Sequence, residues 1–325
     1  MDPRDLLELA ISGDRRSLAR LLTLVEAGGA GFRTVASAIF EASTGSRSVG
    51  LTGAPGAGKS TLTDALVAEA RRKNERVAVL AVDPSSPLTG GAILGDRVRF
   101  REEHAMDDGV YLRSMASRGQ LGGLSLAVPA SLRALDAAGW PTVLIETVGV
   151  GQSEVDIADA ADTTLVVVNP GWGDEVQANK AGLLEVADIL VVNKADRPGV
   201  ESTVRDLERM LHLGVATPWT PPVVRTIASD GAGVAALWSA IEDHQTFLVG
   251  SGELVRRRAE RDANEARDRV TADLRRAAVA MDGTPEGRHL FDQVAAGALD
   301  PVTAAQLLLG MVAAALLGEP RAERA

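Results

Sequence analysis

The spacing of hydrophobic and polar residues changes twice along the chain. In the first 45 residues the apolar positions recur at helical spacing, with Gly13 and Asp14 as a break between two short helices. From about residue 47, amphipathic stretches alternate with short runs rich in Val, Ile and Leu at 48–53, 76–83, 109–115, 142–148, 163–169, 189–196 and 222–228. This alternation predicts an α/β fold with a doubly wound, mainly parallel sheet, and ligands at the carboxyl ends of its strands.

Helices are expected between those strands and beyond residue 247. The first group covers 60–72, 122–138, 174–187 and 202–212, and the second covers 253–281, 286–297 and 301–317. Small apolar residues in the long charged helix repeat at steps of three and four, at Val255, Ala259, Ala263, Ala266, Val270, Leu274, Ala277 and Met281. We interpret this stripe as a dimerisation arm; the alternative is a solvated helix lying on its own domain. The predicted organisation is an N-terminal helical extension (1–46), an α/β domain (47–247) and a C-terminal helical arm (248–325).

A glycine-rich stretch joins the first predicted strand to the next helix. It matches the phosphate-loop pattern G-x-x-x-x-G-K-[ST] through Gly53, Ala54, Pro55, Gly56, Ala57, Gly58, Lys59 and Ser60. Glycines let successive backbone N–H groups turn inward, and the following helix N-terminus adds partial positive charge. We expect Lys59 to reach the β- and γ-phosphates, Ser60 to bind Mg²⁺ and Thr61 to contact the α-phosphate.

A second motif at the end of another apolar strand predicts which base is bound. Asn193, Lys194, Ala195 and Asp196 form the N-K-x-D pattern of GTPases. Asp196 can accept hydrogen bonds from guanine N1–H and N2–H₂, whereas adenine would leave the carboxylate unpaired. Asn193 is expected to bind the loop or guanine N7, and the Lys194 stem to cover the ring. The backbone N–H near Ala228, in a second base loop, is expected to donate to guanine O6.

Carboxylates at two strand ends are candidates for magnesium binding and for positioning the attacking water. Glu146 stands where most GTPases have the Asp of D-x-x-G, and the N–H of Gly149 is expected to meet the γ-phosphate. Asp83 ends another strand, and Asp96 follows it as a weaker candidate. The predicted metal site comprises Ser60, Asp83, Asp96 and Glu146, and the predicted catalytic residues are Lys59, Asp83 and Glu146.

The polar, glycine-broken stretch 169–182 also follows a buried strand. Its residues Asp174, Glu175, Gln177 and Lys180 are placed by topology on the nucleotide-facing edge. The chain has only four lysines, against thirty arginines. Two of these lysines have predicted nucleotide roles, which favours a functional role for Lys180 at the same edge of the sheet. We interpret these residues as a switch that contacts a partner; the alternative is an ordinary loop and helix start.

Composition disfavours several other functions. The net charge of −10, a pI near 5.0 and only 3% aromatic residues disfavour nucleic-acid binding. The sequence contains no 18-residue apolar run, which predicts no membrane span, and its lack of cysteine fits a cytoplasmic protein. The histidines show no metal-ligand spacing and are expected to be structural or on the surface; they are His104, His212, His244 and His289.

Taken in order, the motifs resemble those of the MeaB/ArgK-type GTPases. These motifs are GLTGAPGAGKST, AVDPSSPLTGGAILGDRVRF, VLIETVGVGQSE, NPGWGDEVQANKAG and VVNKAD, and the resemblance covers nearly the whole chain. It implies a P-loop GTPase domain and a homodimeric G protein that binds GTP or GDP and Mg²⁺. It further implies a chaperone that gates cofactor loading and protects an adenosylcobalamin-dependent acyl-CoA mutase of the methylmalonyl-CoA mutase type. By the same resemblance, 83–100, 146–156 and 170–180 are switch segments.

Two alternatives remain open at this stage. One is a metal-insertion GTPase of the nickel-handling relatives, which would need Cys or His ligands that the sequence does not supply. The other is a P-loop kinase associated with basic amino-acid transport, against which the N-K-x-D motif and the lack of a lid domain argue.

Overall fold

The chain contains seven strands: β1 (Arg47–Thr52), β2 (Val77–Pro84), β3 (Val110–Ser117), β4 (Thr142–Thr147), β5 (Thr163–Val168), β6 (Ile189–Asn193) and β7 (Val223–Thr226). They form one parallel sheet in the order β3-β2-β4-β1-β5-β6-β7. The structure is a computed structural model that describes residues 1–84, 102–117, 123–147, 159–171, 185–213 and 217–317. The chain builds one half of the sheet before β5 begins the other, so strand order reverses beside β1, where an open α/β sheet binds its ligand.

The helices of the described residues lie before, between and after these strands. They are α1 (Pro3–Ile11), α2 (Arg15–Ala27), α3 (Gly29–Arg33), α4 (Ala36–Ala42), α5 (Lys59–Arg72), α6 (Glu102–Met106), α7 (Gly123–Ala137), α8 (Val200–Leu213), α9 (Val234–Ser251), α10 (Glu253–Met281), α11 (Pro285–Ala295) and α12 (Pro301–Leu317). Within the described residues, every helix is too short or too polar to cross a membrane.

Both faces of the sheet are covered, which explains why its strands are apolar without alternation. On one face the N-terminal helices and α7 pack against residues of β2 and β4 such as Leu80 and Ile145. On the other face α5 and α9 pack against β1, β4, β5 and β6, with Leu51 and Trp238 in the same buried cluster. A third cluster joins β5 and β6 to α8. Helices on both faces leave the carboxyl ends of the strands as the place for a ligand.

Paired charges at the opposite, amino-terminal edge of the sheet secure the start of α10. Arg258 binds Asp162 at 2.7 Å, just before β5, and Arg257 binds Asp188 at 3.0 Å, just before β6. Arg261 adds a contact of 3.2 Å to Asp162. Burial alone would raise the pKa of Asp162, but the hydrogen bond from Arg258 and the charges of both arginines outweigh it and hold that pKa below its usual range. These ion pairs connect α10 to two of the central strands.

The described chain divides into two compact units, Met1–Asp262 and Ala263–Ala325. The second unit contains the rest of α10 together with α11 and α12. Thr284 caps α11 by accepting the Gly287 N–H at 3.0 Å, and a Cβ on Gly287 would lie 2.0 Å from the Met281 carbonyl oxygen, so glycine is required there. The predicted boundaries at 46/47 and 247/248 are drawn from the sequence pattern and stay predictions.

The predicted fold class is confirmed: the sheet is parallel, seven-stranded and covered by helices on both faces. The long charged helix predicted over 253–281 is α10, and the break at Gly13 and Asp14 separates α1 from α2. The sequence analysis did not resolve α3 and α4 as separate short helices. Most of the helix predicted over 174–187 lies outside the described residues.

Candidate nucleotide-binding site

The loop 53–58 connects the carboxyl end of β1 to the first turn of α5. Gly53 has φ +133°, and a Cβ there would lie 2.1 Å from the Val167 carbonyl oxygen. Gly58 has φ +90°, and a Cβ there would lie 2.5 Å from Asn193 Nδ2. Side chains are therefore excluded at both ends of the loop by backbone conformation and by the neighbouring strands. Gly58 also N-caps α5 without a side chain, so no cap side chain competes for the first amides of that helix.

Lys59 is the first residue of α5 and is 8% exposed. Its Nζ donates to the Gly53 carbonyl at 2.5 Å and to the Ala54 carbonyl at 3.3 Å. Both acceptors belong to the phosphate loop itself, so the ammonium is held within the loop by the loop's own backbone. A positive charge fixed beside the amino end of a helix is suited to binding an anion such as a phosphate.

Ser60 and Glu146, both predicted to bind Mg²⁺, are in contact. The Ser60 hydroxyl donates to Glu146 Oε1, across from the first turn of α5 to the end of β4. Glu146 is 2% exposed, and its backbone pairs with Leu51 on one side and Ala81 on the other, so the carboxylate stands in the middle of the sheet. A serine oxygen and a carboxylate beside a phosphate loop are the hard oxygen donors that Mg²⁺ prefers.

The donor set fits Mg²⁺ held partly by the substrate rather than by a protein cage. Within the described residues, no group of three or more His, Cys, Asp or Glu side chains could enclose a metal ion. Mg²⁺ is usually bound through one or two protein oxygens plus phosphates and water, which matches the Ser60 and Glu146 pair. Asp83 is the seventh residue of β2, whose backbone pairs with Ala116 there, and its side chain lies outside the description. Asp96 and Gly149 also lie outside the described residues.

Asn193 connects three loops at the carboxyl edge of the sheet. Its side-chain Nδ2 donates to the Ala57 carbonyl at 2.9 Å, which ties β6 to the phosphate loop. Its Oδ1 accepts from Thr226 Oγ1 and from the Ala228 N–H, both at 3.1 Å, which ties β6 to the loop after β7. The side chain is 2% exposed and uses both ends of its amide. We expected Asn193 to contact either the loop or guanine N7, and the structure shows its contact with the phosphate loop.

Lys194 and Asp196 continue from Asn193 into a tight turn. Lys194 has φ +56°, and its Nζ donates to the Gly56 carbonyl at 2.6 Å, so its stem runs along the phosphate loop. The turn is fixed by the Ala195 N–H, which donates to the Thr226 carbonyl at 3.0 Å. Asp196 is exposed in this turn. An exposed carboxylate on a fixed turn beside the phosphate loop can accept hydrogen bonds from a base without first breaking a protein contact in the described chain.

The remaining predicted residues divide into those the structure describes and those it does not. Thr61 is exposed in the first turn of α5, one residue beyond Ser60. The Ala228 N–H donates to Asn193, and its assignment to guanine O6 stays a prediction. The predicted switch residues lie outside the described part of the chain: Asp174, Glu175, Gln177 and Lys180.

Sequence reasoning missed two residues of this site. Thr226 supports Asn193 from the end of β7, and Asn169, just after β5, donates from Nδ2 to the Gly56 carbonyl at 3.2 Å. Both immediately follow or end an apolar strand, as the predicted residues do. The position of a polar residue at the carboxyl end of a neighbouring strand is therefore the signal that could have identified them.

Three of the four histidines make pairwise contacts, and the fourth, His289, is exposed. His244 is fully buried, with Nδ1 at 2.9 Å from Thr163 Oγ1, and His104 Nδ1 lies 2.7 Å from Asp64 Oδ1. His212 Nδ1 lies 2.6 Å from the Glu208 carbonyl. Contacts of this kind match the structural role expected for these histidines.

A phosphate loop after the central strand, a serine–glutamate pair beside it and an N-K-x-D turn tied to the loop define a P-loop GTPase. The family to which this chain belongs is MeaB, because the family model described as methylmalonyl Co-A mutase-associated GTPase MeaB matches residues 18–282. The resemblance stated from the motifs is thereby confirmed, and the chain is a guanine-nucleotide-binding GTPase.

Relatives agree with this assignment over most of their length. A protein of Pyrococcus horikoshii named as a GTPase is 45% identical over 314 residues, covering 95% of this chain and 98% of the relative. The GTPase ArgK of Escherichia coli is 38% identical over 251 residues, covering 74% of this chain and 76% of ArgK. The crystal structure of an LAO/AO transport system kinase has a TM-score of 0.70 at 27% identity, with 95% of this chain and 97% of that chain covered.

Proposed function

We propose that this GTPase is a Mg²⁺-dependent, homodimeric cytoplasmic chaperone of an adenosylcobalamin-dependent acyl-CoA mutase. It binds GTP or GDP, and its nucleotide state gates cofactor loading and protects the mutase. Methylmalonyl-, ethylmalonyl- and isobutyryl-type mutases are all candidate partners. Support for the partner comes from membership of a family described as associated with methylmalonyl-CoA mutase.

The observation that carries the GTP-dependent part is the bridge made by Asn193. One buried amide binds the Ala57 carbonyl of the phosphate loop and the Ala228 N–H of the loop after β7. The loop that grips phosphates and the turn that carries Asp196 are thereby held in one fixed arrangement. A ligand that fits both must have phosphates at one end and guanine hydrogen-bond donors at the other.

In this mechanism the chain's residues bind, orient and hold charge. The loop amides and Lys59 bind the phosphates, and Asp196 accepts from the guanine edge. Ser60 and Glu146 hold Mg²⁺, which when bound neutralises charge on the β- and γ-phosphates. Asp83, or Asp96 after it, positions the attacking water. None of these steps needs a shifted pKa, because phosphoryl transfer depends mainly on placement and charge stabilisation.

The proposed signal to the mutase is a change in the switch segments 83–100, 146–156 and 170–180. GTP and Mg²⁺ favour one arrangement of these segments, and hydrolysis releases it. Lys180 and the acidic residues near it are proposed to report that change to the partner. A variant such as Lys180→Ala should therefore keep its GTP affinity but lose stimulation of hydrolysis by the mutase.

Dimerisation is proposed to use the apolar stripe of α10. Its first six residues are exposed, from Val255 to Leu274. A helix that packed on its own domain would have its apolar stripe buried there. The stripe is exposed, which favours its burial against a helix of a second chain. Analytical ultracentrifugation tests this: we expect a dimer, and Val270→Glu with Leu274→Glu should give monomers that still bind GDP.

The direct test of the partner is binding to purified methylmalonyl-CoA mutase, measured by gel filtration with GDP or with a non-hydrolysable GTP analogue. We expect a complex whose affinity differs between the two nucleotides. Lys59→Ala, which cannot hold the triphosphate, serves as the matched control and should lose that difference. Equal mutase affinity in all samples, or no complex with any nucleotide, would contradict the chaperone proposal while leaving the GTPase assignment intact.

The proposed binding of Mg²⁺ by Glu146 can be tested separately. Glu146→Gln keeps an oxygen that can accept from Ser60 but removes the charge. We expect this variant to bind GDP in the presence of EDTA about as well as the unmodified protein, within about twofold, and to lose most of the Mg²⁺-dependent slowing of GDP release. If Mg²⁺ has the same effect on both proteins, Glu146 does not hold the metal.

A transport-system kinase is the second candidate, because the solved neighbour carries that description. The two functions differ in where the γ-phosphate goes. With γ-labelled GTP, the proposed GTPase should release all label as inorganic phosphate, and a kinase should leave label on an acceptor protein or small molecule.

A further inference from the structure

The carbonyl oxygen of Gly56, in the middle of the phosphate loop, accepts two hydrogen bonds from outside the loop. Lys194 Nζ donates to it at 2.6 Å from the turn after β6. Asn169 Nδ2 donates to it at 3.2 Å from the end of β5. A carbonyl oxygen has two lone pairs, and both are used here, so any rotation of the peptide group between Gly56 and Ala57 breaks two bonds.

The orientation of this peptide group determines where its N–H points. In a trans peptide the N–H and the carbonyl point in opposite directions. The Ala57 N–H is therefore turned away from the ends of β5 and β6 and into the loop, where it donates to the Ala54 carbonyl at 3.1 Å. The next peptide group is fixed in the same way, because Asn193 Nδ2 donates to the Ala57 carbonyl at 2.9 Å. Two successive amides of the loop are thus oriented by side chains from neighbouring strands.

Of the two donors to Gly56, Asn169 is the more constrained. Its side chain is short and follows directly on β5, a strand that is buried throughout. The lysine reaches the same carbonyl through a long, flexible side chain, which loses more conformational entropy when it is held in one position. β5 is also the direct neighbour of β1, and a Cβ on Gly53 would lie 2.1 Å from the Val167 carbonyl oxygen. The end of β5 therefore contacts the phosphate loop both at its first residue and in its middle.

The bond from Asn169 contributes little to the stability of the fold. Its length of 3.2 Å is at the long end for an N–H···O hydrogen bond. Within the described residues the Asn169 Oδ1 is buried without a hydrogen-bond partner, which costs free energy. Removal of this amide would not leave the Gly56 carbonyl unpaired, because Lys194 still donates to it. A side chain with these properties is expected to act on the geometry of the loop rather than on folding.

We propose that Asn169 is a positioning residue for the phosphates of the bound nucleotide. Together with Lys194 it holds the peptide group between Gly56 and Ala57 in the orientation that directs the loop amides toward an anion. Asn169 therefore increases the affinity for the diphosphate part of GDP and contributes nothing to recognition of the base. The inference rests on the proposed binding of phosphates by the loop 53–60, and it adds a residue from outside the phosphate and base motifs.

Three variants separate a positioning role from a merely structural one. Asn169→Leu removes the donor and keeps a side chain of similar size. Ser202→Ala is the matched control, because Ser202 Oγ donates at 2.8 Å to the carbonyl of Gly199, which lies outside the phosphate loop. Asp196→Asn is the control for the base. Each full-length protein is compared by melting temperature without nucleotide and by isothermal titration calorimetry in EDTA with GDP and with inorganic pyrophosphate. Pyrophosphate has two phosphates but no base, so its affinity reports on the loop alone.

We expect Asn169→Leu to weaken the binding of GDP and of pyrophosphate alike, by about fivefold each, which is the effect of losing one hydrogen bond. Its melting temperature should stay within about 1 °C of that of the unmodified protein. In GTP turnover, KM should rise by about the same factor and kcat should stay within about twofold, because binding is lost equally before and during the reaction. Asp196→Asn should weaken GDP but not pyrophosphate, and Ser202→Ala should change neither.

Three results would show that the positioning role is wrong. The first is a normal affinity of Asn169→Leu for pyrophosphate, and the second is the same losses in Ser202→Ala. The third is a melting temperature of Asn169→Leu that falls by several degrees together with its affinities. If Asn169→Leu fails to fold, Asn169→Asp, which lacks the donor but keeps the shape, decides by the same criteria. If the unmodified protein does not bind pyrophosphate, the proposed binding of phosphates by the loop fails, and not the role of Asn169 alone.

Discussion

Asn193 Nδ2 lies 2.9 Å from the Ala57 carbonyl oxygen, so a single side chain at the end of β6 supports the phosphate loop. The same residue accepts hydrogen bonds from Thr226 and Ala228. Base recognition and phosphate recognition are commonly assigned to separate motifs. In this protein one buried amide connects the loop predicted to bind phosphates with the loop predicted to bind the base, so we expect a change at this amide to affect the affinity for the whole nucleotide.

Asn193→Asp isolates the bond to Ala57. Aspartate keeps an oxygen that can accept from Thr226 and Ala228, but it replaces the donor that faces the Ala57 carbonyl with a second acceptor. We expect GDP affinity to fall by at least about tenfold, since a buried unpaired acceptor costs about 1–3 kcal/mol. Isothermal titration calorimetry measures this. Asn169→Asp, which alters a weaker contact of 3.2 Å to the same loop, is the control and should lose less. Equal losses would mean that the bridge has no special role.

Asp196 should determine the base with little effect on folding, because it is exposed. In the unmodified protein, GDP and GTP should raise the melting temperature and ATP should not. Asp196→Asn replaces an acceptor that guanine N–H groups need, so the shift with GDP should disappear while the melting temperature without nucleotide stays within about 1 °C.

A complementary base provides the control for Asp196→Asn. Xanthine carries an oxygen where guanine carries the 2-amino group, and the asparagine NH₂ can donate to it. Xanthosine diphosphate should therefore stabilise the variant more than GDP does. If GDP still stabilises Asp196→Asn as strongly as the unmodified protein, Asp196 does not contact the base.

Substitutions at two glycines of the phosphate loop test whether the loop requires residues without a side chain at these positions. Gly58→Ala places a methyl group 2.5 Å from Asn193 Nδ2, whereas a Cβ at Gly56 meets no atom within 4 Å. Both positions have positive φ, so both substitutions cost about 1 kcal/mol of backbone strain. Only Gly58→Ala should also break the Asn193 bridge. We expect Gly56→Ala to lower the free energy of unfolding, measured by urea titration, only modestly. Gly58→Ala should abolish measurable GDP binding. Similar GDP affinities for the two variants would refute the steric explanation.

Sequence reasoning located the parts of the site that depend on local order. The loop 53–60 and the turn 193–196 are contiguous motifs whose strand context is visible in the hydrophobic pattern, and both are at the carboxyl ends of strands as expected. The contact between Ser60 and Glu146 was predicted only as a shared role, because the sequence does not state that β1 and β4 are neighbours. The His104 and Asp64 pair was missed: it joins two short helical segments forty residues apart, and neither residue belongs to a motif.

The ion pairs at the amino-terminal edge of the sheet could not be predicted from the sequence either. The arginines of α10 look like the solvated face of a charged helix, yet Arg258 and Arg261 bind Asp162, which is fully buried. These arginines form ion pairs only because the start of α10 lies against the beginning of β5. That tertiary contact joins residues about a hundred positions apart in the sequence.

The pH dependence of stability should reveal this buried pair. Burial alone would raise the pKa of Asp162, but the hydrogen bond from Arg258 and the charges of Arg261 and Arg258 outweigh it and keep the pKa of folded Asp162 below its usual range. The unfolded chain therefore takes up the proton first as pH falls, so the stabilisation is complete above about pH 4–5 and is lost as pH drops through the lower folded pKa. Asp162→Asn should weaken this acid-side loss in urea titrations.

At pH 7 the same substitution should be costly, because removing one partner of a buried ion pair typically costs about 3–5 kcal/mol. Glu201→Gln is the matched control: its partner Arg225 lies at 2.6 Å, but the two side chains are 61% and 46% exposed. An exposed pair contributes about 0–1 kcal/mol, so this control should change urea stability little and leave the pH profile unaltered. A loss for Asp162→Asn no larger than for Glu201→Gln would show that the arginines of α10 do not stabilise the sheet.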